Sequence, residues 1–152
     1  MSGLCQVTHS QLSYMVYIDG YSIRNDGTNI DLSGLNIYDI SSFGQFTNPE
    51  TVNLARNNIS NLYVFANSPN RMLVKNLNLS YNALSDITPI AYLPNLETLD
   101  LSYNTMISSE LPLMSLYNLR QLNVTGTMLS PQQVMNLKAT LTGCNVISSY
   151  GW

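Results

Sequence analysis

The chain has 152 residues, 45% of them apolar but only 10% charged, with a formal net charge of −3 at pH 7. That length suffices for one domain with a real core. Six basic residues against nine acidic ones argue against a nucleic-acid partner, since phosphate neutralisation needs clustered Lys and Arg.

Asn, Ser, Thr and Tyr fill the surface that charges usually occupy, which favours dense assembly or a polar ligand over an electrostatically steered one. No apolar run approaches the ~18 residues of a membrane span, and no signal-peptide segment follows Met1. An intracellular location is therefore expected, with extracellular or virion-associated settings left open by the low charge.

Residues 1–26 do not fit the periodicity that follows them. Gln11-Leu-Ser-Tyr-Met-Val-Tyr-Ile18 is apolar and β-prone, and Asp19-Gly20 and Asn25-Asp26-Gly27 are strong turn signals. This stretch reads as a hairpin-like or irregular N-terminal cap over the first unit of an array. His9, the single histidine, has no cysteine or carboxylate at ligand spacing, so it is neither a metal ligand nor a general base. The segment Asn25-Asp26-Gly27-Thr28-Asn29-Ile30-Asp31 lacks the alternating acidic ligands of a calcium loop and reads as a turn entering a strand.

Residues 27–152 repeat. Leu77-Asn-Leu-Ser-Tyr-Asn82-Ala-Leu84 returns 22 residues later as Leu99-Asp-Leu-Ser-Tyr-Asn104-Thr-Met106, both on the pattern L-x-x-L-x-L-x-x-N-x-L. The fourth slot falls at Ile30, Val52, Leu77, Leu99, Leu122 and Cys144, at steps of 22, 25, 22, 23 and 22 residues. The sixth gives Leu32, Leu54, Leu79, Leu101, Val124 and Val146. The eleventh gives Ile37, Ile59, Leu84, Met106 and Leu129. Slots four and six lie two apart, so on a strand both enter the core. Slot nine holds Asn57, Asn82 and Asn104, whose amides can satisfy backbone groups of adjacent coils. Thr127 and Ser149 can do part of that work. Leu35 cannot, so the first coil should be distorted or cap-like.

The stretch from Leu84-Ser-Asp-Ile-Thr-Pro-Ile to Leu99-Asp-Leu-Ser-Tyr-Asn104 resembles the 22-residue leucine-rich repeat of bacterial internalins, and is similar to the repeats of phosphatase-regulatory leucine-rich subunits. Ile87, Ile90, Leu93 and Leu96 recur every third residue, which suits the short 3₁₀ convex segment of that subclass. The resemblance spans roughly residues 28–149. It implies an α/β solenoid of about six repeats, a right-handed coil with a parallel sheet on its concave side and a mostly 3₁₀ or irregular convex side. It transfers no catalytic residue.

The 25-residue coil carries extra residues near Asn67-Ser-Pro-Asn-Arg71, expected to bulge on the convex side. Ser130-Pro-Gln-Gln133 reads as a capping box with Pro at the first helical position. Val134, Leu137 and Leu141 then give one apolar face, so a C-terminal helix of about 11 residues is predicted. After it the chain ends in Tyr150-Gly-Trp152. Ile147, Tyr150 and Trp152 either fold over the last strand's edge or form a contact for another protein. Cys5 and Cys144 sit at opposite ends of the stack, too far apart for a disulfide, and Cys144 reads as a small core residue.

The outward slots define the candidate site. Slot five is Asx throughout: Asp31, Asn53, Asn78, Asp100, Asn123 and Asn145. It is either a row of groups for a polar ligand or a lateral amide ladder along the stack. Slot two alternates Glu50, Lys75, Glu97 and Arg120, which suggests lateral ion pairs. Slot seven is small, and slot eight reads Gly34, Arg56, Tyr81, Tyr103, Gly126. Arg56, Tyr81 and Tyr103 should stand side by side on three consecutive coils, as an interface anchor or as a stabilising stack.

The candidate contact surface is thus Asn53, Arg56, Asn78, Tyr81, Asp100, Tyr103 and Asn123. No phosphate loop, nucleophile elbow or paired-cysteine motif is present, so neither catalysis nor a cofactor is expected. The leading expectation is a non-enzymatic module that binds a protein on its concave face, a saccharide being the less favoured ligand. The alternative is a structural subunit of a filament, virion or other assembly, self-associating through its C-terminal edge.

Overall fold

The computed structural model describes residues 14–152. The turn signal at Asp19-Gly20 does what its chemistry allows: both residues take positive φ (45° and 85°), the twist a two-residue hairpin needs. It joins β1 (Met15–Ile18) to β2 (Tyr21–Arg24) as an antiparallel pair. Val16 and Ile18 of β1 are buried in the same core as the coils that follow. Cys5, His9 and the start of the predicted β segment lie outside the described residues.

Six three-residue strands then pair in parallel, in chain order: β3 (Asn29–Asp31), β4 (Thr51–Asn53), β5 (Asn76–Asn78), β6 (Thr98–Asp100), β7 (Gln121–Asn123) and β8 (Asn145–Ile147). Each places its fourth-slot residue in register with the next, Ile30 with Val52, then Leu77, Leu99 and Leu122. Slots four and six of these coils are buried side by side, which makes one continuous apolar column along the stack. The fold is a leucine-rich repeat solenoid.

The convex side is built from 3₁₀ turns at Ser41–Gln45, Thr88–Tyr92 and Leu111–Leu113, plus a single α turn, α1 (Val64–Asn67). The third-residue spacing is realised: Ile87, Ile90, Leu93 and Leu96 are all buried. The chain's three phenylalanines gather between the first two coils, Phe43 lying 5.5 Å from Phe46 and 5.1 Å from Phe65 in edge-to-face contacts. The predicted helix is α2 (Pro131–Thr140). Its capping box is formed in full between Ser130 and Gln133, with Val134, Leu137 and Leu141 buried.

The structure shifts two features of the repeat alignment. Leu122 pairs with Val146, not Cys144, so the last coil is two residues longer than its sequence alignment suggests. α2 takes up that length. Cys144 therefore leaves the core slot and is only half-buried against the core, where burial raises its thiol pKa. Asn145 moves to slot three and Ile147 to slot five. In the 23-residue coil the extra residue falls at Thr105 and Met106. Ile107 is fully buried in the eleventh slot, and Met106 is pushed into solvent.

Slot nine behaves as its chemistry requires. The Asn57 carbonyl oxygen accepts from Leu35 N and Ile37 N, and its amide donates to Leu32 O and Leu54 O. Asn82 and Asn104 repeat this one and two coils further on. Each asparagine thus serves the coil before its own. That is why the first coil, with Leu35 in the slot, stays in regular register with β4: Asn57 supplies its turn from outside. Thr127 bonds within its own coil, donating to Val124 O at 2.8 Å and accepting from Leu129 N at 3.5 Å.

Candidate functional site

The sheet face carries the predicted residues Asn53, Asn78, Asp100 and Asn123 on four consecutive strands, each half-buried. Their side chains do not bond one another along the stack. Each turns forward two residues along its own chain: Asn78 Oδ1 accepts from Ser80 N at 3.0 Å and Ser80 Oγ at 2.8 Å, and Asp100 Oδ1 from Ser102 N at 2.9 Å and Ser102 Oγ at 2.6 Å. Asp31, Asn53 and Asn123 do the same to Ser33, Ala55 and Thr125. The expected amide ladder of slot five is therefore absent among the described residues. At the strand end a local N–H two residues on is the nearest donor, and it wins.

The lateral ladder lies one slot pair earlier. In slot three, at the strand start, Asn76 bonds across to both neighbours. Its amide donates to Thr51 Oγ1 at 3.2 Å, and its oxygen accepts from Thr98 Oγ1 at 2.8 Å. Slots three and five together line a shallow groove of about 300 Å³ that runs across β4–β7. Its polar side chains are neutral amides and hydroxyls except for Asp100, and Val52, Leu77 and Leu99 complete the lining between them. The slot-two charges contribute one loose contact, Lys75 Nζ to Glu50 at 3.9 Å with both ends about half exposed, worth little in water.

One rim of the face is slot eight. Gly34, Arg56, Tyr81, Tyr103 and Gly126 all have left-handed backbones, with φ between 55° and 71°. The reason is local: the chain must leave the strand while the slot-eight N–H still pairs with the next coil, as in Arg56 N to Ser80 O and Tyr81 N to Ser102 O. Glycine adopts this conformation freely, whereas a residue with a Cβ is destabilised by about 1–2 kcal/mol.

The three residues that carry a Cβ here stack. The Arg56 guanidinium lies 4.4 Å from the Tyr81 ring centre, and the Tyr81 and Tyr103 rings are 4.5 Å apart and 17° from parallel. The Tyr103 ring in turn lies over Gly126, where an added Cβ would come within 2.7 Å of it. Tyr81 and Tyr103 keep 41% and 45% of their surface exposed, so the stack presents a wide apolar flank. Sequence reasoning placed these three side by side. It had no means of seeing the shared positive φ.

The structure separates the three C-terminal residues. Ile147 stands on the sheet next to Asn123 in register. Tyr150 donates its hydroxyl to Leu129 O at 2.6 Å and stacks on Trp152 at 6.0 Å, and Lys138 of α2 sits 4.7 Å over the Trp152 ring. Two buried polar residues were not singled out from the sequence. Asn70 donates to Phe43 O and Phe46 O, which ties the inserted residues of the 25-residue coil to the coil before. Glu110 accepts from Gln133 Nε2 at 2.7 Å and Asn136 Nδ2 at 3.3 Å, which pins α2 to its neighbour. Burial pushes the Glu110 carboxyl up, but hydrogen bonds from its own backbone, Asn136 and Gln133 outweigh that and leave it below the usual glutamate range.

The family model for leucine-rich repeats (2 copies) matches residues 74–113. The structure is similar to internalin C2 of Listeria monocytogenes, with a TM-score of 0.68 and 27% identity over 80% of this chain. It is similar in fold to a leucine-rich repeat protein of Leptospira interrogans, with a TM-score of 0.60 and 23% identity over 70% of this chain. The chain spans only 51% of the length of internalin C2 and 27% of the Leptospira protein. No curated protein matches the sequence.

Proposed function

We propose that this chain, a leucine-rich repeat protein resembling the internalins, is a non-enzymatic binding module that holds a protein partner on its sheet face. The repeat is in general the scaffold of protein-interaction modules, and its consensus residues are structural and typically non-enzymatic. Among the described residues no helix is long and apolar enough to cross a membrane.

The observation that carries the finer reading is the slot-eight stack. Three non-glycine residues in succession hold a left-handed backbone that glycine would take without strain. The stacking returns about 0.5–1.5 kcal/mol per contact, no more than the strain it accompanies. Stability alone gives no reason to keep Arg56, Tyr81 and Tyr103 there. A half-exposed aromatic and guanidinium flank beside a neutral polar groove does, as the anchor of an interface with Asn53, Asn78, Asp100 and Asn123 at its floor.

Affinity capture from the native source tests this reading. The Tyr81→Ala, Tyr103→Ala double variant should lose the captured partner while it stays folded. Its thermal midpoint should fall only by the loss of about 1–3 kcal/mol of stacking, since alanine keeps the left-handed strain. Capture that survives in a folded double variant would move the site off this face. A second reading, self-association through the C-terminal side, is supported by the exposed Tyr150–Trp152 pair beside β8. Sedimentation over a concentration series separates the two. Association that grows with concentration and vanishes in Trp152→Ala would favour assembly.

A further inference from the structure

A cavity of about 650 Å³ opens on the other side of the coil, between the convex turns of the first two coils. Tyr38, Asp39 and Ser41 form one wall, and Asn61, Tyr63 and Asn67 the other. Coil geometry explains why it is here. The first coil crosses its convex side as a narrow 3₁₀ turn and the second as an α turn followed by the inserted residues 68–71. Two elements of different girth cannot close against each other as matched 3₁₀ turns do.

The walls are fixed from behind. Asp19 Oδ2 accepts from Tyr38 N at 2.5 Å and from Asp39 N at 2.8 Å. Tyr63 is held at both ends, its N–H by Asn61 Oδ1 at 2.8 Å and its hydroxyl by Asp86 Oδ2 at 3.4 Å. Both rings nevertheless remain largely in solvent, Tyr38 at 61% and Tyr63 at 58% exposure.

The lining carries one charge, and it is negative. Asp39 lines the cavity, and Asp19 and Asp86 bond its two tyrosines from outside. The Arg71 guanidinium donates to Ser68 O at 3.3 Å without belonging to the lining. The ion pairs among the described residues are Arg24 with Asp26 and Lys75 with Glu50, so Asp39 has no cation of its own. Its carboxyl stays below the usual aspartate range because the Ser41 backbone and hydroxyl hydrogen-bond it. An anion would be repelled here. A cation would meet both a carboxylate and aromatic faces, the two groups that recognise ammonium and guanidinium heads. The volume exceeds what a bare headgroup fills, and the Asn61 and Asn67 side chains suit a peptide backbone beside it.

We propose that this cavity receives a lysine or arginine side chain of a partner polypeptide, with Asp39 as counter-ion and Tyr38 and Tyr63 against the aliphatic stem. The site is separate from the sheet face and does not depend on its function. The test is an amide-shift NMR titration with end-blocked Gly-Lys-Gly and Gly-Arg-Gly peptides, with Gly-Glu-Gly, choline and maltose as the other arms.

The basic peptides should give saturable shifts at Tyr38, Asp39 and Tyr63. Asp39→Asn, which keeps the oxygen that accepts from Ser41 N, should weaken them about tenfold, and Tyr38→Ala by several fold. The Tyr81→Ala, Tyr103→Ala variant should bind the peptides as the wild type does. Equal shifts from Gly-Glu-Gly, indifference to Asp39→Asn, or no saturable shift would overturn the proposal. So would choline binding as tightly as the peptides, or maltose moving the same amides.

Discussion

Two columns of the same side-chain chemistry run the length of this solenoid and do opposite things. At the inner corner, Asn57, Asn82 and Asn104 reach back across the gap to the preceding coil. On the sheet face, Asp31, Asn53, Asn78, Asp100 and Asn123 bond only two residues forward in their own chain. The residue type does not decide which. What decides is the nearest unsatisfied backbone group: a turn with no partner of its own at slot nine, a strand end with a free N–H at slot five. The first column welds coils together, and the second shapes each coil and leaves the stack to slot three.

The difference can be broken from its strong side first. Asn104 is fully buried and holds Leu84 N, Leu79 O and Leu101 O. Asn104→Ala strands those groups away from water and should cost about 3 kcal/mol in urea unfolding, because unmade buried hydrogen bonds carry their full desolvation penalty. On the other column, Asn78→Ala removes one local cap at a half-exposed site. It should cost about 1 kcal/mol, with an unchanged dependence on neighbouring coils. If the two losses are equal, the distinction between welding and shaping fails.

A carboxylate extends the comparison to pH. Glu110 bridges to Gln133 and Asn136 of the next coil, and its folded pKa lies below the unfolded one. Its contribution is therefore present above the ordinary glutamate range and is lost as pH falls through the lowered folded value. The stability gap between the wild type and Glu110→Gln should shrink in acid and stay constant near neutrality. A gap that is the same at all pH values would mean that Glu110 acts by shape alone.

The parts of this architecture that repeat were readable from residue types. The Leu and Asn slots, the capping box at Ser130 and the three-residue convex spacing each rest on a local rule that the coils share. What escaped lies where coils differ in length. The alignment treated the last coil as 22 residues long, and α2 stretches it, so Val146 takes the core place assigned to Cys144. The single extra residue of the fourth coil displaces Met106 in favour of Ile107. The candidate site was legible as a set of neighbours, Arg56 beside Tyr81 beside Tyr103. The left-handed backbone under them was not, since glycine at both ends of the row is its only trace in the sequence.

The backward reach of slot nine also gives the stack a direction in time. A ribosome releases the first coil with the Leu35 and Ile37 amides still facing water, and Asn57, their acceptor, lies 22 and 20 residues further along. The same wait recurs for Ile59 and then Leu84, whose acceptors lie 23 and 20 residues on. A nascent chain stalled between coils therefore has its newest turn unfinished and every earlier one sealed. Damage by truncation is accordingly lopsided, and loss of residues from the trailing end reopens the coil before the cut.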